Sequence, residues 1–226
     1  MKLSVIIPTF NEDETIEEII SRVVSVPLSI EKEIIVVDDG SSGAAKEKLR
    51  ELRKKYDFTL LEHSKNQGKG AAIRTGLSKA IGDFVIIQDA DLEYDPNNYE
   101  KLIKPLLNNE AEVVYGSRLL GGNRRGHLSF YLGGKMLTFL SNLLYGLNIT
   151  DESTCYKVFK KDLINSLNLK SKGFEFCPEV TAKIGKRGIK IHEVPISYRA
   201  RTKKEGKKIK WKDGLIAIWI LIKYRF

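Results

Sequence analysis

Residues 84–96 read FVIIQDADLEYDP. The run from Phe84 to Gln88 is strand-like, and two carboxylates, Asp89 and Asp91, follow it directly. A continuous apolar run is the pattern of a strand buried on both faces, as in a parallel sheet covered by helices. A chain leaving such a strand can turn both carboxylates towards one ligand.

The pattern repeats outward from this segment. Strand-like runs occupy Leu3 to Ile7, Glu33 to Val37, Thr59 to Glu62 and Glu112 to Tyr115. Helical stretches lie between them, at Thr15 to Ser25, Ala44 to Tyr56, Gly70 to Ala80 and Asn97 to Leu107. This alternation predicts an α/β fold: a central, mostly parallel sheet flanked by helices on both faces. Ligands of such sheets bind beyond the carboxyl ends of the strands. The first strand runs into Pro8, Thr9, Phe10, Asn11 and Glu12, and the second into Asp38, Asp39, Gly40, Ser41 and Ser42. Carboxylates therefore stand at three strand ends, which predicts a binding site there rather than three unrelated turns.

A length of 226 residues with 42% hydrophobic content suits one domain. The expected division is a nucleotide-binding half over 1–96, an acceptor half over 97–212 and a closing apolar helix over 213–226. The net charge of +9 favours anionic partners. Eight of the fourteen residues from Arg199 to Lys212 are Lys or Arg, which predicts a mobile basic loop. Interleaved aromatics and a recognisable module are lacking, so nucleic acid is not an expected partner.

Cys155 and Cys177 form no CxxC pair and read as free thiols in a reducing compartment. The apolar run after Lys2 is too short for a signal-peptide core, so a cytoplasmic protein is expected. Leu128 to Ile149 and Leu215 to Ile222 raise the question of a membrane. Neither supplies the roughly 20 apolar residues of a spanning helix, which leaves a core helix and an interfacial helix as the two readings.

Carboxylate oxygens at Asp89 and Asp91 suit Mg or Mn, which keep waters and bind substrate phosphates through one or two protein carboxylates. Asp39 can accept from a ribose hydroxyl or a base N–H, whereas Asp38 is expected to be tied into its own turn through Gly40 and Ser41. Asn66 to Gly70 precede a helix, where backbone N–H groups and Lys69 could meet an anion. The segment does not satisfy the P-loop pattern. His63, His127 and His192 are isolated, and no catalytic histidine is assigned. Aspartyl phosphatases also place Asp-x-Asp after an apolar strand. Their pattern continues with Thr or Val where this chain has Glu93, and it usually opens the chain.

Six segments taken together carry a family resemblance: SVIIPTFNE (4–12), IIVVDDGSS (34–42), NQGKGAAIRTG (66–76), QDADLEYDP (88–96), VYGSR (114–118) and EVPISYRAR (193–201). The chain resembles glycosyltransferase family 2, and within it the dolichol-phosphate mannose synthases and related polyprenyl-phosphate glycosyltransferases. The resemblance implies a GT-A fold with a sheet of mixed direction at one edge. It implies a nucleotide pocket lined by Pro8, Phe10, Glu12, Val37 and Asp39, to which the anion reading adds Lys69. Asp89, Ala90 and Asp91 would carry the metal and the donor, with Glu93 facing the metal as well. Arg118 and Arg201 would meet phosphates. The QxxRW motif of processive polymerising members is missing, and Trp211 stands in KIKWKDG instead.

The expected reaction moves a hexose with inversion from a GDP- or UDP-linked donor to a lipid phosphate. A phosphate acceptor is already anionic and needs no general base, only cations to position it. The basic loop would supply them, at a membrane surface or beside a membrane-protein partner. The second expectation is a hydroxyl acceptor, with Asp151 in ITDEST as its base.

Overall fold

The computed structural model describes residues 1–123, 128–201 and 211–226. His127 and residues 202–210, which make up most of the expected basic loop, lie outside the described residues.

The first half alternates as its sequence predicts. Strand β1 (Lys2–Thr9) leads into α1 (Ile16–Ser25), β2 (Glu31–Asp38) into α2 (Gly43–Lys55), β3 (Thr59–Glu62) into α3 (Lys69–Leu77) and β4 (Phe84–Ile87) into α4 (Tyr99–Leu107). After β4 a single 3-10 turn, Pro96–Asn98, starts α4; Asp95 caps it by accepting from the Asn97 N–H at 3.0 Å. The second half holds β5 (Val113–Ser117), α5 (Leu128–Tyr145), β6 (Lys157–Lys160), α6 (Lys161–Ser166), α7 (Phe176–Lys186), β7 (Ile191–Pro195) and α8 (Trp211–Arg225).

These strands form one seven-stranded sheet in the order β3-β2-β1-β4-β6-β5-β7. Strands β1, β2, β3 and β4 pair in parallel, as do β5 and β7, and β6 runs antiparallel to both of its neighbours. The single reversed strand thus sits third from one edge, inserted between β4 and β5. All four residues of β4 are buried, as are Val5, Ile6 and Ile7 of β1 and Val36 and Val37 of β2. Burial on both faces explains why these strands read as unbroken apolar runs.

Helix α1 shows the usual arrangement, with Ile16, Ile19, Ile20 and Val23 turned to the core. Helix α5 inverts it. Its buried residues are Thr138, Ser141 and Tyr145, while Leu128, Leu132, Met136, Phe139 and Leu143 form an exposed stripe at helical spacing. Helix α8 packs against α5 and exposes Trp211, Leu215, Trp219 and Ile222 at the same spacing, with Phe226 exposed just beyond its end. No described helix is long and apolar enough to cross a membrane.

Candidate active site

The ends of β1, β2 and β4 converge at the carboxyl edge of the sheet and are bonded to one another. Asn11 adopts a left-handed backbone (φ 49°) and donates its N–H to the Ser41 hydroxyl at 2.9 Å; its side-chain oxygen accepts the Ser42 N–H at 3.2 Å. Thr15, at the start of α1, donates its hydroxyl to the Ala90 carbonyl at 2.6 Å. Asp38 closes its own turn, with Oδ1 accepting the Ser41 N–H at 3.0 Å. That is the role its sequence predicts.

Asp39 is 3% exposed and holds the loop before α3. Its Oδ1 accepts the Gln67 N–H at 2.9 Å, its Oδ2 accepts the Gly68 N–H at 2.7 Å, and Nδ1 of His63 lies 2.7 Å from Oδ1. The other ring nitrogen of His63 meets the Thr75 hydroxyl at 2.9 Å. His63 is therefore not isolated: it bridges the Asp39 carboxylate to α3. Gly68 has φ +100°, and a side chain there would collide with the Lys172 carbonyl, so backbone conformation and close approach both select glycine. This framed loop presents Lys69, whose ammonium forms an ion pair with Asp89. Burial lowers the affinity of Lys69 for its proton, but the charge of Asp89 more than offsets that and holds it above its ordinary value.

Asp91 lies in a strained turn. Leu92 has φ 61°, an uncommon conformation for a bulky side chain, and Asp91 Oδ1 accepts the Glu93 N–H at 3.1 Å. Arg201 reaches over this turn. Its guanidinium lies 2.9 Å from Asp91 Oδ2 and 3.7 Å from Glu12, and its backbone N–H donates to Glu93 Oε1 at 2.6 Å. The Tyr94–Tyr198 bridge and the Arg199 N–H, which donates to the Glu93 carbonyl at 2.9 Å, fasten the same segment. Burial, then the charges of Asp89 and Glu93, push the Asp91 carboxyl up to about 7 against the pull of Arg201.

Two carboxylates in mutual repulsion, each matched by one cation, form an acidic site with the donor chemistry of Mg or Mn. Among the described residues no three His, Cys, Asp or Glu side chains gather into a closed cage. A pair of carboxylates fits a cation whose remaining positions go to water and substrate phosphates.

Pro8 and Val37 are buried register partners across β1 and β2, Phe10 is half-buried beyond them, and Ala90 is buried between the two aspartates. Arg118 is committed elsewhere. Its backbone N–H, Nε and one terminal nitrogen donate to the Asp151 carboxylate at 2.9, 2.7 and 2.7 Å, and its guanidinium lies over the Tyr198 ring at 5.1 Å. Burial alone would raise the Asp151 carboxyl, but the charge and hydrogen bonds of Arg118 outweigh it and hold it low. This arrangement argues against Asp151 as a general base, since both of its oxygens are occupied and its affinity for a proton is reduced.

Sequence reading also missed the support beneath the aspartates. Gln88 accepts from the Tyr99 and Tyr156 hydroxyls through Oε1, each at 2.6 Å, and donates its amide to the Asp89 carbonyl at 2.9 Å. Tyr99 and Tyr156 lie 11 and 68 residues from Gln88, so no local spacing connects them. Cys155 lies beside Lys69, and both cysteines are free thiols, as expected.

The sheet, its crossovers and the acidic site at its carboxyl edge have the architecture of the GT-A fold. More particularly, residues 4–167 match the family described as Glycosyl transferase family 2, and the chain belongs to that family. It is 32% identical over 214 residues to a dolichol-phosphate mannosyltransferase of Pyrococcus furiosus, covering 92% of this chain and 59% of that one. The chain thus spans little more than half the length of this relative. It is 29% identical to a UDP-N-acetylglucosamine–dolichyl-phosphate N-acetylglucosaminyltransferase of Methanococcus voltae, over 84% of this chain and 83% of the relative. Among solved structures it resembles glucosyl-3-phosphoglycerate synthase of Mycobacterium tuberculosis in complex with Mn2+, UDP and phosphoglyceric acid. The TM-score is 0.76 at 19% identity, over 99% of this chain and 78% of that one.

Proposed function

We propose that this glycosyltransferase moves a hexose, mannose or glucose, from a GDP- or UDP-linked donor to a polyprenyl phosphate, with inversion and with Mg or Mn. The observation that carries the reading is the pairing of Asp89 with Lys69 and of Asp91 with Arg201 at the sheet's carboxyl edge. Such a site offers two carboxylates to a metal and two cations to a diphosphate. Asp89 and Asp91 would hold the metal, with Glu93 next to them. The chemistry such a cation supplies is charge neutralisation on the departing nucleoside diphosphate.

Pro8, Phe10, Glu12, Val37, Asp39 and Ala90 form the donor pocket in this reading. Lys69 and Arg201 turn from the aspartates to phosphate oxygens as the donor enters. Arg118, expected from the sequence to meet phosphates, instead orders the Asp151 loop through its ion pair with that carboxylate. The anionic acceptor attacks the anomeric carbon without surrendering a proton, in keeping with the occupied carboxylate of Asp151.

The names of the relatives support a prenyl-phosphate acceptor, and so do the outward faces of α5 and α8. Two adjacent helices that turn apolar stripes outward, one of them with polar residues buried beneath, suit a lipid surface better than water. Lys223 and Arg225 near the end of α8 match acidic headgroups. These features support a reading in which the chain docks at the cytosolic face of a membrane, peripherally or beside a membrane-protein partner.

Thermal shift with a panel of nucleotide sugars tests the donor site. Stabilisation is expected with a GDP- or UDP-sugar only when Mn or Mg is present, and it should vanish in the Asp89→Asn, Asp91→Asn double variant. Equal stabilisation in that variant would remove the metal from the account.

A further inference from the structure

Glu179 on α7 is fully buried and belongs to no part of the site described above, yet four groups from three directions converge on it. The N–H groups of Lys170 and Ser171 donate to it at 2.9 and 2.7 Å, Lys183 at 2.6 Å, and the Tyr224 hydroxyl on α8 at 2.8 Å. The segment it grips continues directly to the donor loop. The Lys172 carbonyl accepts the Ala71 N–H at 3.0 Å and fills the space in which a Gly68 side chain would stand. A Cβ on Gly70 would lie 2.7 Å from the Ser171 carbonyl. Phe174, next along, is the ring over which Lys69 lies, at 5.9 Å. Lys69 is therefore framed from two sides, by Asp39 and by residues 171–174.

We infer that Glu179 is a positioning residue for Lys69, acting through residues 170–173, and that the Tyr224 hydroxyl ties this setting to the placement of α8. It rests on the reading of Lys69 as a donor contact. A fully buried carboxylate that accepts two backbone N–H groups fixes their direction more tightly than a neutral acceptor does, because charge-assisted hydrogen bonds are shorter and stronger. Removing the tyrosine hydroxyl leaves the ring in place over Lys183 at 4.7 Å but deletes one of the groups that orient the carboxylate. The consequence is that α8, which carries an exposed apolar stripe, and the 170–173 segment that frames Lys69 share one buried acceptor.

Tyr224→Phe and Glu179→Gln in the full chain test this by residue-resolved hydrogen exchange. Exchange at the amides of Gly68 to Ala72 should quicken about fivefold in Tyr224→Phe and more in Glu179→Gln, with Ile35 to Val37 of β2 unchanged. With donor and Mn supplied, KM for the donor should rise several-fold at nearly constant kcat. Exchange that changes only within α8 in Tyr224→Phe would overturn the proposal, since a purely structural tyrosine loosens its own helix and nothing else. If Glu179→Gln unfolds, Tyr224→Phe decides alone. The exchange readout needs no nucleotide, so a chain that binds no nucleotide sugar would refute the donor reading separately.

Discussion

Replacing Asp39 separates a ligand-only role from the one its geometry shows. In Asp39→Ala the N–H groups of Gln67 and Gly68 and one nitrogen of His63 lose their acceptor together. An orphaned buried donor costs about 1–3 kcal/mol. The loop is only partly buried, so the low end applies to each of the three, and the loss is about 3 kcal/mol. That is a large share of the roughly 5–15 kcal/mol by which a domain is stable. Asp39→Asn keeps one acceptor oxygen and turns an NH2 towards an N–H, which should cost about 2 kcal/mol. Urea unfolding without nucleotide measures both, and the midpoints should fall in the order wild type, Asn, Ala at constant slope. A His63→Ala, Asp39→Asn cycle should be non-additive, because the two residues share a bond. If both Asp39 variants unfold within about 0.5 kcal/mol of wild type while nucleotide affinity collapses, the carboxylate serves the ligand alone and the loop-holding argument is wrong.

Asp151→Asn removes the charge that Arg118 faces in a buried pair. It should cost about 2–3 kcal/mol of stability in urea, with turnover per folded molecule kept within about tenfold. A thousandfold loss of turnover at unchanged stability would restore Asp151 as a base. Glu179 gives a pH signature. Burial raises its carboxyl, but the hydrogen bonds from Lys183, Ser171 and Lys170 outweigh that and bring it down to about 2 from 4.5. A depressed carboxylate stabilises the fold fully above its unfolded value and loses that contribution as pH falls towards its folded value. Roughly 3 kcal/mol should therefore disappear between about pH 4.5 and 2. The stability gap between wild type and Glu179→Gln should narrow over that window, and a constant gap would contradict it.

The parallel half of the sheet was legible because strands buried on both faces leave unbroken apolar runs, and because such strands end in turns rich in Asp, Asn, Gly and Ser. Asp38 and Asp39 show where that legibility stops. Spacing assigns one to a turn, but it cannot show that the other caps a loop almost thirty residues later and meets His63. Strand β6 was not readable. It is four residues long, reads KVFK, and begins with Lys157, a fully buried cation. That burial is stable only because Lys157 donates to the carbonyls of Glu152 and Thr154 and lies 4.2 Å from the centre of the Tyr115 ring. Helix α7 carries Pro178 in its first turn, where proline is tolerated but reads as a breaker. The inverted face of α5 was visible as an apolar segment, but only the packed structure shows which side its polar residues take.

Paired acceptors test the central claim most directly: a polyprenyl phosphate and the corresponding free prenol, each incubated with the full chain, Mn or Mg and radiolabelled GDP-mannose or UDP-glucose. Label should enter the organic phase with the phosphate acceptor alone, as a product of inverted anomeric configuration, and fall to background in Asp89→Asn, Asp91→Asn. Transfer to the free prenol at an equal rate, or transfer undiminished in that variant, would contradict the account.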